Sequence, residues 1–176
     1  MVNYHVFNTE LKPIYMQQNN TFTSPGIIGA PELDAAKNGV LFILSTGNIS
    51  VGAGSTLLLQ TANPNSSKRL YISRISGGTT AAAALRIASG GTITGGSTPT
   101  AFNALFGNVT TSVATNRSNT GTLGGTPVTV MTLQLTSGMY LFDLDGGLIV
   151  PPNQSLSVTL GTGALTGSIN LTWWEA

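Results

Sequence analysis

Leu156-Ser157-Val158-Thr159-Leu160 and Ser168-Ile169-Asn170-Leu171-Thr172-Trp173-Trp174 decide how this chain folds. In the first run Leu156, Val158 and Leu160 share one face against Ser157 and Thr159. In the second, Ile169, Leu171 and Trp173 share one face against Asn170, Thr172 and Trp174. A period of two is the side-chain period of a β-strand. One face is expected to pack and the other to meet solvent or a neighbour. The adjacent tryptophans must then point in opposite directions. Trp173 continues the apolar row and is expected in the core. Trp174 is expected at an interface, where a large amphipathic ring makes a good anchor.

Upstream, short apolar runs recur at Val40–Leu44, Thr56–Thr61, Arg69–Ser76, Ala82–Ala88, Thr92–Thr94, Val128–Thr136 and Met139–Leu144. Gly77-Gly78, Gly90-Gly91, Gly124-Gly125 and Gly146-Gly147 lie between or beside them and read as turns, because glycine tolerates the positive φ that tight hairpins need. The run around Tyr71 resists assignment. Leu70, Ile72 and Arg74 would share one face, Tyr71, Ser73 and Ile75 the other, and both faces are mixed. Residues 31–37 allow one short helical turn ended by Asn38-Gly39. The stretch Thr98–Thr126 reads as a long loop, with Phe102, Leu105, Phe106 and Val109 suggesting short strands within it. About eight antiparallel strands without βαβ spacing predict an all-β, two-sheet antiparallel sandwich over residues 39–176. A jelly roll is the first choice of topology and an immunoglobulin-like one the second.

Residues 1–38 differ from the rest. They form an extended N-terminal arm punctuated by Pro13, Pro25 and Pro31, and they hold three of the six acids and the only histidine, His5. Within the arm Val2, Tyr4 and Val6 alternate with Asn3, His5 and Phe7, while Ile14, Tyr15 and Met16 add apolar bulk. Such a segment suits pairing with an exposed sheet edge, backbone giving affinity and alternate side chains giving register. If the edge belongs to another copy, the contact is head-to-tail and propagates unless its rotation closes. The alternatives are a strand laid along its own sandwich and a disordered terminus. Val2, Tyr4, Val6, Phe7, Ile14, Tyr15, Met16 and Trp174 are therefore the candidate subunit-interface residues.

Charge supports an assembly role. Only 7 basic and 6 acidic side chains occur in 176 residues, far below the usual quarter, and the net charge is +1. A free surface so poor in charge has weak protection against self-association. The basic residues form no run, which argues against nucleic acid as a partner. There is no cysteine, hence neither disulfide nor thiolate metal site. No apolar stretch approaches a membrane span, and no Sec-type signal is visible. The expectation is synthesis in a cytoplasm without a Sec signal, with a final location outside the cell, on a spore surface or on a virion. The Asn-x-Ser/Thr sequons read as a by-product of composition.

Catalytic chemistry has little to draw on. His5 has no acid within three positions, so no triad is expected. Asp143-Leu144-Asp145-Gly146-Gly147 begins like a calcium loop, but the later ligand positions fall on Gly147, Leu148 and Gln154. A hairpin turn is the expected reading there, with a cation shared between subunits left open. No enzyme activity, cofactor or resident metal is expected.

The segment Met139-Tyr140-Leu141-Phe142-Asp143, followed by Leu148-Ile149-Val150-Pro151-Pro152-Asn153-Gln154-Ser155-Leu156, resembles jelly-roll surface subunits of small virions, phages and spore-surface fibres. With the N-terminal arm, the chain is similar to the appendage fibre subunits of Bacillus-type endospores. That resemblance implies subunits joined through an N-terminal connector donated to a neighbouring jelly roll. The best known of those families cross-link through cysteines, which this chain lacks. The functional expectation is a self-assembling structural subunit whose main partner is itself. The alternative is a phage-tail or capsid surface module, in which Trp174 and the Thr98–Thr126 loop bind a glycan or cell-surface receptor.

Overall fold

The computed structural model describes residues 31–161 and 163–176. A short helix, α1 (Pro31–Lys37), precedes eleven strands: β1 (Leu41–Ser45), β2 (Ile49–Val51), β3 (Thr56–Asn63), β4 (Leu70–Thr79), β5 (Ala83–Ser89), β6 (Phe102–Asn103), β7 (Thr115–Gly121), β8 (Val128–Leu135), β9 (Gly138–Val150), β10 (Gln154–Leu160) and β11 (Leu165–Glu175). They form two antiparallel sheets. The first runs β6-β1-β11-β4-β9, with β2 also paired to β11; the second runs β7-β3-β10-β5-β8. The all-β sandwich expected from the alternating runs is thus the fold. With β2, β6 and β7 set aside, eight strands remain. Numbered in chain order, they lie 1-8-3-6 in one sheet and 2-7-4-5 in the other.

The core lies between the sheets. Phe42, Leu44, Leu57, Leu85, Leu160 and Trp173 are among its largest fully buried side chains, and the Phe42 and Trp173 rings sit 6.2 Å apart. In β11 the inward row Leu165, Gly167, Ile169, Leu171, Trp173 and Glu175 is buried without a break. In β10 the outcome differs from expectation, because Ser157 and Thr159 are buried too. Their face is covered by the chain's own β5–β7 connection. Ser157 Oγ donates to Gly90 O at 2.6 Å, and Gln60 Nε2 donates to Gly91 O at 2.9 Å. Leu58 in β3 and Ile93 in the connection are likewise buried.

The mixed faces around Tyr71 have a cause. Ile72 pairs with Trp173 and Arg74 with Thr172, which leaves Ser73 as an extra residue without a partner in β11. Such a bulge reverses the alternation. Leu70, Ile72 and Ile75 can therefore all enter the core. The same residue faces a larger interruption in β9, whose partners jump from Leu148 to Asp143. Gly146-Gly147 therefore belongs to a bulge within one long strand, not to a hairpin turn. Gly77-Gly78 also lies inside a strand. A Cβ on Gly77 would fall 2.0 Å from Ser168 O and 2.6 Å from the Tyr140 hydroxyl, which donates to Ser168 O at 2.8 Å. Close packing, not turning, requires that glycine. The expected strand at Thr92–Thr94 shrinks to one bridge, Thr92 to Gly124, while β2, β6 and β7 are strands the sequence reading did not separate.

Helix α1 belongs to the packed body, although residues 31–38 were grouped with the arm from sequence. Ala35 is buried against the sandwich. The Glu32 carboxylate accepts a hydrogen bond from the Ser73 hydroxyl and faces Arg74 Nη2 at 3.5 Å. Gly39, at φ +66°, ends the helix in the left-handed conformation usual after a C-cap.

Candidate functional site

Trp174 lies on the outer face of the first sheet, between Leu41 of β1 and Tyr71 of β4. Its indole stacks on the Tyr71 ring at 5.5 Å with the planes 4° apart, so the side chain is half-buried within its own subunit. The β9 bulge closes over it. Gly146 has φ +79°, and a Cβ there would come within 2.1 Å of Trp174 Cη2. Beside the ring is a cavity of about 340 Å³ lined by Pro31, Glu32, Asp145 and Trp174. An aromatic edge with two carboxylates suits hydroxyl-bearing or cationic groups.

The neighbouring charges are already engaged. Arg74 Nε donates to Asp143 Oδ1 at 2.6 Å and its Nη2 faces Glu32. The Asp143 hydrogen bond, followed by the Glu32 charge, raises the Arg74 pKa further above its ordinary value. Among the described residues no group of three or more His, Cys, Asp or Glu side chains comes together. Burial raises the Tyr140 phenol pKa, which holds it neutral as a hydrogen-bond donor.

The two sides of the sandwich offer a different kind of surface. Among the described residues, strands β9 and β8 end their respective sheets, each paired on one side only. Neither edge carries lysine or proline, and only β9 is blunted by charge, through Asp143 and Asp145 beside its bulge. The whole of β8, Val-Thr-Val-Met-Thr-Leu-Gln-Leu, is uncharged, and Val128, Val130 and Met131 are exposed. On β9 Met139 is 88% exposed, with Leu141 and Ile149 also open. A groove of about 380 Å³ opens here, lined by Val130, Leu148, Ile149, Val150, Pro151 and Leu156 together with the polar Ser89, Gln154 and Ser155.

At the other end of the first sheet, β6 presents Phe102 across from Ile43, and the following loop exposes Phe106 (92%) and Val109 (94%). This loop is held firmly. Leu105 N donates to Asn103 Oδ1 at 2.9 Å and Thr110 N to Asn108 Oδ1 at 2.7 Å. Asn103 Nδ2 donates to Gly39 O at 2.7 Å. The loop's far end is pinned by buried Glu175, whose Oε1 accepts from Ser112 Oγ at 2.6 Å and Val113 N at 3.0 Å. Lys68 Nζ faces the same carboxylate at 3.7 Å.

Of the expected interface residues, Val2, Tyr4, Val6, Phe7, Ile14, Tyr15 and Met16 lie outside the described residues. Trp173 is in the core as expected. Of Phe102, Leu105, Phe106 and Val109, read as a hint of strands, only Phe102 lies in a strand, the two-residue β6, and together they form an exposed apolar tip. The apolar edges of β8 and β9 were missed as a surface, although the lack of charge from Ser118 to Phe142 was visible in the sequence. No helix among the described residues is long and apolar enough to cross a membrane. Compared with known proteins, the chain matches no family model, and neither a curated protein nor a solved structure matches it.

Proposed function

We propose that this chain is a non-enzymatic structural subunit whose copies assemble into an extracellular or particle-surface fibre, each donating its N-terminal arm to a neighbour. The observation that carries the reading is the pair of edge strands, uncharged β8 and largely apolar β9, each of which pairs on one side only among the described residues and so offers backbone donors and acceptors to another chain. The interleaved order of the eight main strands supports a jelly-roll building block, the double Greek key common among surface proteins. The arm has the reach. Thirty residues precede Pro31, and at ~3.3 Å per residue their extended length is about 100 Å. Pairing of Val2–Phe7 with an edge would add backbone hydrogen bonds at about 1 kcal/mol each, plus apolar burial at about 25 cal/mol per Å².

Deletion of residues 1–16 tests the arm. The expected product is a folded β-protein, by circular dichroism, that no longer polymerises under negative-stain microscopy. Polymers of unchanged form would remove the linking role. A second reading, a phage-tail or capsid module that binds a glycan, draws support from the cavity between Trp174, Glu32 and Asp145. Glycan binding by discrete oligomers, without fibres, is the result that favours it.

A further inference from the structure

Two apolar surfaces that no other described residue covers sit at opposite ends of the same sheet. One is the tip formed by Phe102, Leu105, Phe106 and Val109 beyond β6; the other is the groove between β9 and β8. We propose that the tip of one copy seats in the groove of the next, so that copies join head to tail through a contact separate from the N-terminal arm. The inference rests on the assembly reading above but uses none of the arm's residues.

Four features of the molecule make a second copy the occupant. Both surfaces belong to this chain, and β6 and β9 are four strand spacings apart, about 19 Å, so one copy cannot fill its own groove. A patch meeting a different patch on an identical molecule gives a heterologous contact that repeats. Second, neither the tip nor the lining of the groove carries charge, the acids of β9, Asp143 and Asp145, lying outside that lining. Residues 87–116 and 118–142 contain no Asp, Glu, Lys or Arg, nor do residues 146–174, so no ion is stripped of water when the surfaces meet.

Third, the loop is fixed before it binds. The Asn103 and Asn108 side chains bond its backbone, Asn108 lies over Gly39 with its Nδ2 2.2 Å from where a Cβ would be, and Glu175 anchors the far end. Ordering cost on association is accordingly small. Fourth, the size is right for one of several linked contacts. Two phenylalanines bury about 150–250 Å² each. Together with the matching groove surface this gives about 600–1,000 Å², below the 1,200 Å² or so of a stable standalone interface. Such a contact holds when a second link raises the effective concentration.

The absence of cysteine allows a direct test on the full chain. Phe106→Cys and Val130→Cys are made singly and together, and assembled protein is treated with a short bis-maleimide. Ile149→Cys serves as the second groove variant if Val130→Cys folds poorly. The double variant is expected to give a ladder of covalent multimers on a denaturing gel. An equimolar mixture of the two single variants is expected to give a covalent dimer and nothing larger, and each single variant alone no product. Self-cross-linking of Phe106→Cys, or no cross-linking in the mixture, would overturn the proposal. The arm is judged separately. Polymers that form without these cross-links remove the tip-in-groove contact only, whereas a ladder that survives deletion of residues 1–16 removes the arm's role only.

Discussion

Strands β11 and β9 are the two longest in the molecule and belong to the same sheet, yet they use apolar residues differently. β11 is paired on both sides, and every inward position along it is buried. Among the described residues β9 pairs with β4 alone, is interrupted by the bulge at 144–147, and leaves Met139, Leu141 and Ile149 in the open. An apolar side chain in the centre of the sheet is committed to folding. The same kind of side chain at the edge contributes little to folding and is available for association. Location, not composition, separates the two uses.

Substitutions along the pair sharpen this contrast. Trp173→Ala in β11 empties a fully buried site beside Phe42 and is expected to cost about 3–5 kcal/mol in urea denaturation. A loss below 1 kcal/mol would mean that β11 is not the keel of the sandwich. At the β9 bulge, Gly146→Ala places a methyl group against the Trp174 ring at a positive φ. About 2–3 kcal/mol should be lost, and adding Trp174→Ala should recover part of it. Additive losses in the double variant would disprove the close packing of bulge and indole. Met139→Ser, at the open edge, should change stability by no more than about 0.5 kcal/mol. A loss beyond 1 kcal/mol would show that the residue is already covered within its own chain.

The sequence made the central strands legible because their partners on both faces enforce strict alternation, as in Ile169, Leu171 and Trp173. It became ambiguous where the backbone departs from a regular ladder. Ser73 is one residue too many, and no period-two reading of Leu70–Ile75 can succeed across it. The glycine pairs misled for a related reason. Gly77 and Gly146 are glycines because Tyr140 and Trp174 press on them, and a sequence does not distinguish that demand from the demand of a turn. Strand β7 was not separable because Thr115–Gly121 is polar throughout and is held by backbone pairing to β3, which leaves no hydrophobic rhythm. For the candidate site, the aromatic pair at the C-terminus was readable, but the stacking partner Tyr71 lies a hundred residues away. The accepting groove was hidden because it is assembled from four strands.

The uncharged lining of the groove and the uncharged tip carry a consequence for how these surfaces behave in solution. A junction formed there has almost no ionic component to screen, so sodium chloride at ordinary strengths leaves it nearly untouched. What governs it is the cohesion of water. Sulfate and other strongly hydrated solutes tighten it, while cooling loosens it, since the apolar driving force fades at low temperature.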